Sequence, residues 1–386
     1  MNRPARFGIV AMRPRDPDED HRVASPLELF FDLVFVVAVS LSSAELHHAE
    51  AEAHIGAGLV SYLMVFFAVW WAWMNFSWFA SAFDTDDWAY RVVTFVQMAG
   101  ALVLAAGTRP AMAEGDLRAI VAGYVVMRLA LVTQWLRAAA GSPDYRRTAL
   151  RYAVGVTAAQ VAWVASLLLA GGMAPPVFVV LVLLELLVPV WAESARVTPW
   201  HPEHIAERYG LFTLILLGES VLASTTAIVD ALQTGRHLAD LAQVAGCGLA
   251  MAAGMWWIYF SHLHHGHRAT LGTALAFGYG HYFIFAAAGA FSAGIEVAID
   301  RDTGGTGLGP AAAAATLTVP VAVFILGKWW LTLRPGLPPG RSIAVAVLGV
   351  LIGLAALLPE SLIWAAVGVV AVVVVLEWPG IRAEDA

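Results

Sequence analysis

The sequence predicts an all-α integral membrane protein with about twelve transmembrane helices, and three observations lead to that prediction. Of the 386 residues, 60% are hydrophobic and 13% are charged, whereas a soluble domain carries about 45–50% apolar and about 25% charged residues. The apolar residues form blocks of about 20, which is the length a helix needs to cross a bilayer. Basic residues gather in alternate loops, as they do in chains that cross the membrane repeatedly.

Twelve apolar blocks follow one another along the chain, and residues that favour turns separate them. Breaks occur, for example, at Gly171-Gly172, at Pro175-Pro176 and at Pro359. The predicted spans are 27–45, 56–80, 88–107, 116–138, 149–171, 176–193, 205–229, 238–261, 271–298, 310–332, 342–358 and 360–378. Polar tails at 1–26 and 379–386 flank the spans, and we expect the first to be disordered.

Basic residues set the predicted orientation, because cytoplasmic loops carry an excess of arginine and lysine. With the amino terminus inside, 17 of the 22 basic residues fall in inside segments. Arg128 lies within a span, and the outside segments hold only Arg109, Arg118, Arg236 and Arg301. We therefore expect both termini to lie in the cytoplasm.

Two pairs of landmarks predict an internal duplication. Glu28-Leu-Phe-Phe-Asp-Leu-Val-Phe opens the first block, and Glu207-Arg-Tyr-Gly-Leu-Phe-Thr-Leu opens the seventh. Trp70-Trp71 in the second block corresponds to Trp256-Trp257 in the eighth. Six helices separate equivalent points, so the two halves share one orientation, as in parallel-repeat transporters. The predicted six-helix repeats are 27–193 and 205–378. The alternative is a chance similarity of aromatic-rich helices.

Ionisable residues within spans are the candidate functional residues, because a charge at the centre of a span costs roughly 2.5–3.5 kcal/mol. Glu28 and Asp32 are four residues apart and share one helical face. We interpret Glu28 and Glu207 as helix-start residues that cap free backbone N–H groups. The candidate ion-pathway residues are Asp32, Glu219, Arg128 and His281, and the helix-start signature is Glu28, Glu207 and Arg208. Arg128 is the candidate counter-ion of Asp32 or Glu219.

The histidine clusters and the tryptophans suggest further sites, for which the sequence gives weaker support. His262, His264, His265 and His267 are weak metal-ligand candidates, as are His201, His204 and Glu207. No cysteine accompanies the histidines, and we favour a solvated loop for the first set and a helix cap for the second. Trp70-Trp71-x-Trp73 and Trp256-Trp257 fit an aromatic belt at the membrane interface, with a substrate-stacking surface as the alternative.

Two segments resemble the signature segments of the bacterial low temperature requirement protein A (LtrA) family. They are Ser25-Pro-Leu-Glu-Leu-Phe-Phe-Asp-Leu-Val-Phe-Val and His204-Ile-Ala-Glu-Arg-Tyr-Gly-Leu-Phe, continued by Leu217-Gly-Glu-Ser-Val-Leu-Ala223. The resemblance covers about residues 22–370. It implies a multi-pass protein of the bacterial plasma (inner) membrane, linked by name to growth in the cold, and implies no reaction. A weaker resemblance, to two-repeat six-helix potassium channels, rests on Phe30-Phe31-Asp32, which lacks their serine.

Three functions fit these observations. We favour a secondary transporter or channel for a small solute or ion, because intramembrane acids lead both predicted repeats. The alternatives are a membrane-embedded enzyme acting on lipid or a lipid-linked group, and a sensor or assembly protein that transports nothing. The sequence shows neither a nucleotide-binding loop nor a basic patch for nucleic acid. We therefore expect no cofactor and no nucleic-acid partner, and only the lipid bilayer and a small solute or cation as partners.

Overall fold

The regular structure of the chain is helical. A computed structural model describes residues 8–16, 19, 22–170, 175–234, 238–261 and 270–378, and these contain no strand. The helices are α1 (Pro26–Ala51), α2 (Ile55–Phe83), α3 (Trp88–Ala106), α4 (Thr108–Glu114), α5 (Arg118–Gly141), α6 (Arg146–Ala170), α7 (Pro175–Glu193), α8 (Pro202–Thr234), α9 (Leu238–Phe260), α10 (Leu271–Thr303), α11 (Pro310–Lys328), α12 (Pro339–Leu354) and α13 (Ser361–Glu377). Each predicted apolar block coincides with one long helix.

Ten helical segments in the described part of the chain are long and apolar enough to cross a membrane. The long helices α6 and α13 lie outside that set, and α13 has only 17 residues. The protein is therefore a multi-pass membrane protein, while twelve spans, the repeat and the orientation stay predictions. Several helices extend beyond their predicted apolar blocks, and α1 ends at Ala51 and α10 at Thr303. They extend because backbone hydrogen bonding continues into the polar residues that follow each block.

Helix α1 starts where its sequence provides a capping box. Ser25 Oγ accepts a hydrogen bond from the Glu28 backbone N–H at 3.3 Å, and Glu28 Oε2 accepts one from the Ser25 N–H at 2.8 Å. Pro26 follows as the first helical residue, where its missing N–H costs nothing. The prediction that Glu28 caps its helix is thus confirmed.

The chain divides into two compact units. Unit 1 comprises the described residues within Met1–Glu45, Ala57–Phe212 and His265–Leu275. Unit 2 comprises those within Leu46–Gly56, Thr213–His264 and Ala276–Ala386.

Small residues allow the closest helix contacts within each unit. In unit 1, a Cβ on Gly123 of α5 would lie 2.5 Å from Gly100 O and from Leu104 N of α3. In unit 2, a Cβ on Gly294 of α10 would lie 2.5 Å from Thr316 O of α11. Close backbone approach replaces hydrophobic burial as the source of helix association, because lipid tails are as apolar as the side chains.

The amino-terminal segment differs from the free tail expected of it. Ser142 Oγ donates a 2.7 Å hydrogen bond to Met12 O, and Met12 is buried. Arg22 is also buried and donates to Ala80 O at 2.7 Å and to Ser81 O. The expectation of disorder is wrong for these residues, because Arg22 donates to backbone carbonyls at the carboxyl end of α2 and the Met12 carbonyl accepts from the Ser142 hydroxyl just after α5.

Candidate functional site

A buried charge network in unit 1 joins the two signature segments. Arg208 Nη1 donates to Glu28 Oε1 at 2.8 Å, and Arg208 Nη2 donates to Asp32 Oδ1 at 2.5 Å. One guanidinium thus bridges two carboxylates that lie one turn apart on α1. All three side chains are almost fully buried, with at most 2% exposed. We call Glu28, Asp32, His204 and Arg208 the Asp32 network.

His204 adds a titratable group to this network. It lies one turn before Arg208 on α8, and its Nε2 is 3.1 Å from Glu28 Oε1. That distance suits an ion pair, although the angle does not suit a hydrogen bond, and neither ring nitrogen has a hydrogen-bond partner. With His204 neutral, the two acids and one arginine carry one excess negative charge. With His204 protonated, the network is neutral.

Asp32 has one satisfied oxygen and one open oxygen. Trp73 Nε1 of α2 donates to Asp32 Oδ1 at 2.7 Å, the oxygen that Arg208 also contacts. Asp32 Oδ2 is buried and has no hydrogen-bond partner. Buried polar atoms in proteins are normally hydrogen-bonded. The open oxygen is therefore where a proton or a small cation would bind.

A second buried network in unit 1 is centred on Glu185 of α7. Arg128 Nη2 of α5 donates to Glu185 Oε2 at 2.6 Å, and Trp71 Nε1 donates to the same oxygen at 3.0 Å. Gln160 Nε2 donates to Glu185 Oε1 at 2.9 Å. The Arg128 guanidinium also lies 5.3 Å from the centre of the Tyr124 ring. In this Glu185 network one acid meets one arginine, and both carboxylate oxygens accept hydrogen bonds.

The predicted partner of Arg128 is wrong. Its ion pair is with Glu185, whereas Asp32 pairs with Arg208. The seventh apolar block begins at residue 205, and for that reason the sequence predicts Arg208 at the start of a helix. Helix α8 begins at Pro202, so Arg208 lies nearly two turns inside it. The available signal was the spacing of His204 and Arg208, which puts both on one face.

Glu207 does not cap its own helix, which corrects the interpretation of it as a helix-start cap. Five residues of α8 precede it, and its Oε2 accepts a 3.1 Å hydrogen bond from the Ala24 N–H instead. Glu219 lies farther along α8, in unit 2, and is half-buried.

His281 lies in the core of unit 2. It is fully buried on α10, its Nδ1 is 2.7 Å from Phe277 O, and its Nε2 is 3.0 Å from the Tyr259 hydroxyl. A carbonyl can only accept, so Nδ1 donates to it, and Nε2 can then accept from the tyrosine. These contacts satisfy a neutral imidazole. Lys328 Nζ lies 4.4 Å from the centre of the Tyr259 ring, and this lysine is buried too.

The tryptophans on α2 do not form an interfacial belt. Trp70, Trp71 and Trp73 are at most 1% exposed, and two of them donate to buried carboxylates. Trp256 and Trp257 on α9 are 46% and 47% exposed, as a belt requires. Burial follows from α2 being enclosed by other helices along its second half.

A small cavity lies within unit 1. Its volume is about 40 Å³, and its lining includes Met74 and Asn75, which directly follow Trp73, together with Glu193 and Thr198. A water molecule needs about 10–15 Å³ of such space and several polar partners. The cavity can therefore hold water, but none of the four residues of the Asp32 network lines it.

The weak metal hypothesis finds no support among the described residues. His262, His264, His265 and His267 lie outside them. Among the residues that the structure describes, no group of three or more histidine, cysteine or acidic side chains is arranged to hold a metal ion. His201, His204 and Glu207 are among these described residues and do not form such a group.

Comparisons with known proteins assign the chain to a family. Residues 23–376 match the family described as bacterial low temperature requirement A protein (LtrA). An uncharacterised protein of Rhizobium meliloti (strain 1021) is 29% identical over 268 residues, or 64% of this chain. The match spans only 60% of that relative's length. Since the family match covers nearly the whole sequence, the chain belongs to the bacterial low temperature requirement A family of multi-pass membrane proteins.

Proposed function

We propose that this protein is a secondary transporter that binds a proton or a small monovalent cation at Asp32. One observation carries the proposal: two carboxylates of a candidate membrane-spanning helix share one buried arginine, and Asp32 Oδ2 has no hydrogen-bond partner. Ionisable groups in spans usually mark ion pathways and proton relays. In this proposal the protein lies in the bacterial inner membrane with both termini in the cytoplasm, as the arginine distribution predicts.

The charge count supports an exchangeable occupant. Moving an ion out of water costs several kcal/mol even after relaxation, and a nearby opposite charge must offset that cost. Arg208 offsets one of the two acids, Glu28 and Asp32. Arg22 is also buried near Glu28, but it donates to the backbone carbonyls of Ala80 and Ser81. Counting Arg208 alone, one negative charge remains, and a proton on His204, a proton on Asp32 or a bound cation would balance it. Each of these adds one positive charge, so the network exchanges one charge per cycle.

The driving force would be an ion gradient. The sequence shows no nucleotide-binding loop that would couple transport to ATP. Both Glu28 oxygens accept a hydrogen bond, one from Arg208 and one from the Ser25 N–H, whereas Asp32 Oδ2 accepts none. In this proposal Asp32 is therefore the acid that takes up and releases the charge.

The test is voltage-driven uptake by the full chain in liposomes. A potassium diffusion potential set with valinomycin drives the cation, and separate vesicles carry dyes for protons or for sodium. We expect uptake above that of empty vesicles, and Asp32→Asn should lower its initial rate at least tenfold. The control is Asp144→Asn, which changes an exposed acid, with 79% of its side chain accessible.

Stability measurements on the same variants separate transport from a structural role. Asp32→Asn leaves the Glu28–Arg208 pair intact, so we expect its unfolding free energy to stay within about 1 kcal/mol of the wild type. Lost uptake with retained stability supports the proposal. Uptake equal to that of empty vesicles for every ion, or unchanged uptake in Asp32→Asn, contradicts it. The network would then only join α1 to α8, as in a sensor or assembly protein.

A further inference from the structure

We propose that His47, Glu296 and Asp300 form a second proton-binding site, in unit 2, with Glu50 as an additional proton acceptor. Its role in transport rests on the function proposed above, whereas its capacity to hold a proton does not. The site uses the last turns of α1 and of α10.

The geometry of His47 requires an extra proton. Its Nδ1 is 2.9 Å from Glu296 Oε2, and its Nε2 is 2.7 Å from Asp300 Oδ2. Glu296 and Asp300 are four residues apart on α10, so they share a face and hold the ring between them. A neutral imidazole has one N–H and can donate to only one carboxylate. Both contacts are hydrogen bonds only if the site holds one proton more than a neutral histidine and two carboxylates.

Glu50 adds a third acid to a site that has a single histidine to balance it. It follows His47 by three residues on the same face of α1 and is only 4% exposed. Its Oε2 is buried without a hydrogen-bond partner. An imidazolium at His47 offsets one of the three surrounding acids. The others stay uncompensated unless a further proton binds, and the unpaired oxygen of Glu50 is a place for it.

Other titratable groups around His47 do not supply the missing charge. On α1, the His48 ring lies 5.3 Å from the His47 ring. The loop that follows α10 carries Thr306, whose hydroxyl donates to Ala51 O at 2.8 Å, and has no charged residue from 304 to 309. No arginine or lysine in the described part of the chain pairs with Glu296 or Asp300.

The two acids of the site are more exposed than the histidine that they hold. The His47 side chain is 14% exposed, whereas those of Glu296 and Asp300 are 34% and 30% exposed. The arginine distribution predicts that this end of α1 faces outside. A histidine held between two partly exposed acids can therefore exchange protons with external water.

The direct test is nitrogen-15 NMR of histidine-labelled full-length protein in lipid nanodiscs. At about pH 8, an ordinary histidine, with a pKa of about 6.5, is almost entirely neutral. In a His204→Gln background, which removes the other histidine that could carry an extra proton, we expect one doubly protonated imidazole signal. It should disappear in His47→Gln and weaken in Glu296→Gln and in Asp300→Asn. His54→Gln is the control, because 70% of the His54 side chain is exposed. Absence of the signal, or its persistence in His47→Gln, would overturn the proposal.

A second measurement addresses the role of the site. Glu50→Gln should reduce voltage-driven proton uptake several-fold while keeping the imidazolium signal, with Asp144→Asn at the wild-type rate. An unchanged uptake rate removes the site from the transport path. If instead the wild type shows no uptake but the signal is present, the transport function fails and the proton-binding site stands.

Discussion

The two buried networks of unit 1 differ in their charge balance, although they resemble each other in composition. Each contains an arginine that is at most 1% exposed, and each receives a hydrogen bond from a tryptophan on α2. Around Glu185, one acid meets one arginine, and both carboxylate oxygens are hydrogen-bonded. Around Asp32, two acids share one arginine, and one oxygen is open.

This difference separates a structural ion pair from an exchangeable site. A balanced pair with satisfied acceptors has no need of another charge, and its removal affects mainly stability. An unbalanced network must recruit a proton or a cation to stay buried. In our proposal Arg128, which the sequence placed among the ion-pathway candidates, is of the structural type, and Arg208 is of the exchangeable type.

The largest effect that we expect is the loss of stability in Glu185→Gln. This change leaves the Arg128 guanidinium buried without a carboxylate, which typically costs about 3–5 kcal/mol of unfolding free energy. Chemical denaturation in detergent measures it, and proton uptake per folded molecule should stay at the wild-type rate. The control is the double replacement Arg128→Met with Glu185→Met, which removes both charges and should be near neutral. A loss in the single variant below about 1 kcal/mol would contradict the structural interpretation.

Replacing the two tryptophan donors sharpens the comparison. Trp71→Phe and Trp73→Phe each remove a hydrogen bond to a charged group, so each should lose about 1.5–3 kcal/mol of unfolding free energy. Only Trp73→Phe should alter the pH dependence of proton uptake, because only Trp73 touches Asp32. The control is Trp163→Phe, since the buried Trp163 indole N–H donates no hydrogen bond. If Trp71→Phe and Trp73→Phe change the pH dependence of uptake equally, the proposed difference between the Glu185 network and the Asp32 network is wrong.

The third effect concerns Asp84, which directly follows α2. Burial, together with the nearby negative charge of Glu28, raises the pKa of Asp84 to about 6, although Arg22 and Arg15 oppose this. The pKa of an aspartate in an unfolded chain is about 3.9. The folded protein thus binds this proton more tightly, so the contribution of Asp84 to stability is fully present below about pH 4 and is lost as the pH rises through about 6.

The fall should be at most about 3 kcal/mol, because raising a pKa from about 4 to about 6 is worth about that much. Asp84→Asn should remove that part of the pH dependence, and Glu28→Gln should move it to lower pH. Thermal denaturation between about pH 4 and 7 measures both. If Glu28→Gln has no influence on it, the excess negative charge assigned to the Asp32 network is absent.

Much of the site was visible in the sequence, but its pairings were not. Asp32 and Glu28 stand out because acids are rare inside spans, and their four-residue spacing correctly indicated a shared face. Their partner, Arg208, lies 180 residues from Glu28 along the chain. Glu185 and Arg128 are 57 residues apart. No local pattern selects among several buried arginines and acids when every candidate partner lies on a different helix.

The tryptophans show the same limit. Trp70-Trp71 and Trp256-Trp257 have equal local patterns, and one pair is buried while the other is half-exposed. Hydropathy reports that a helix prefers a non-aqueous environment, but it does not distinguish lipid from the protein interior, since both are apolar.

The sequence by itself determined the membrane class, the helical content, the place of each long helix and the family. These properties are local, because a backbone in lipid must satisfy its hydrogen bonds within each segment, and about 20 apolar residues suffice to specify a span. Only the tertiary structure decided which charges meet, which tryptophans donate to them and which carboxylate oxygen is left open. Those outcomes depend on how helices distant in sequence pack together, where a shift of a few ångströms makes or breaks an ion pair.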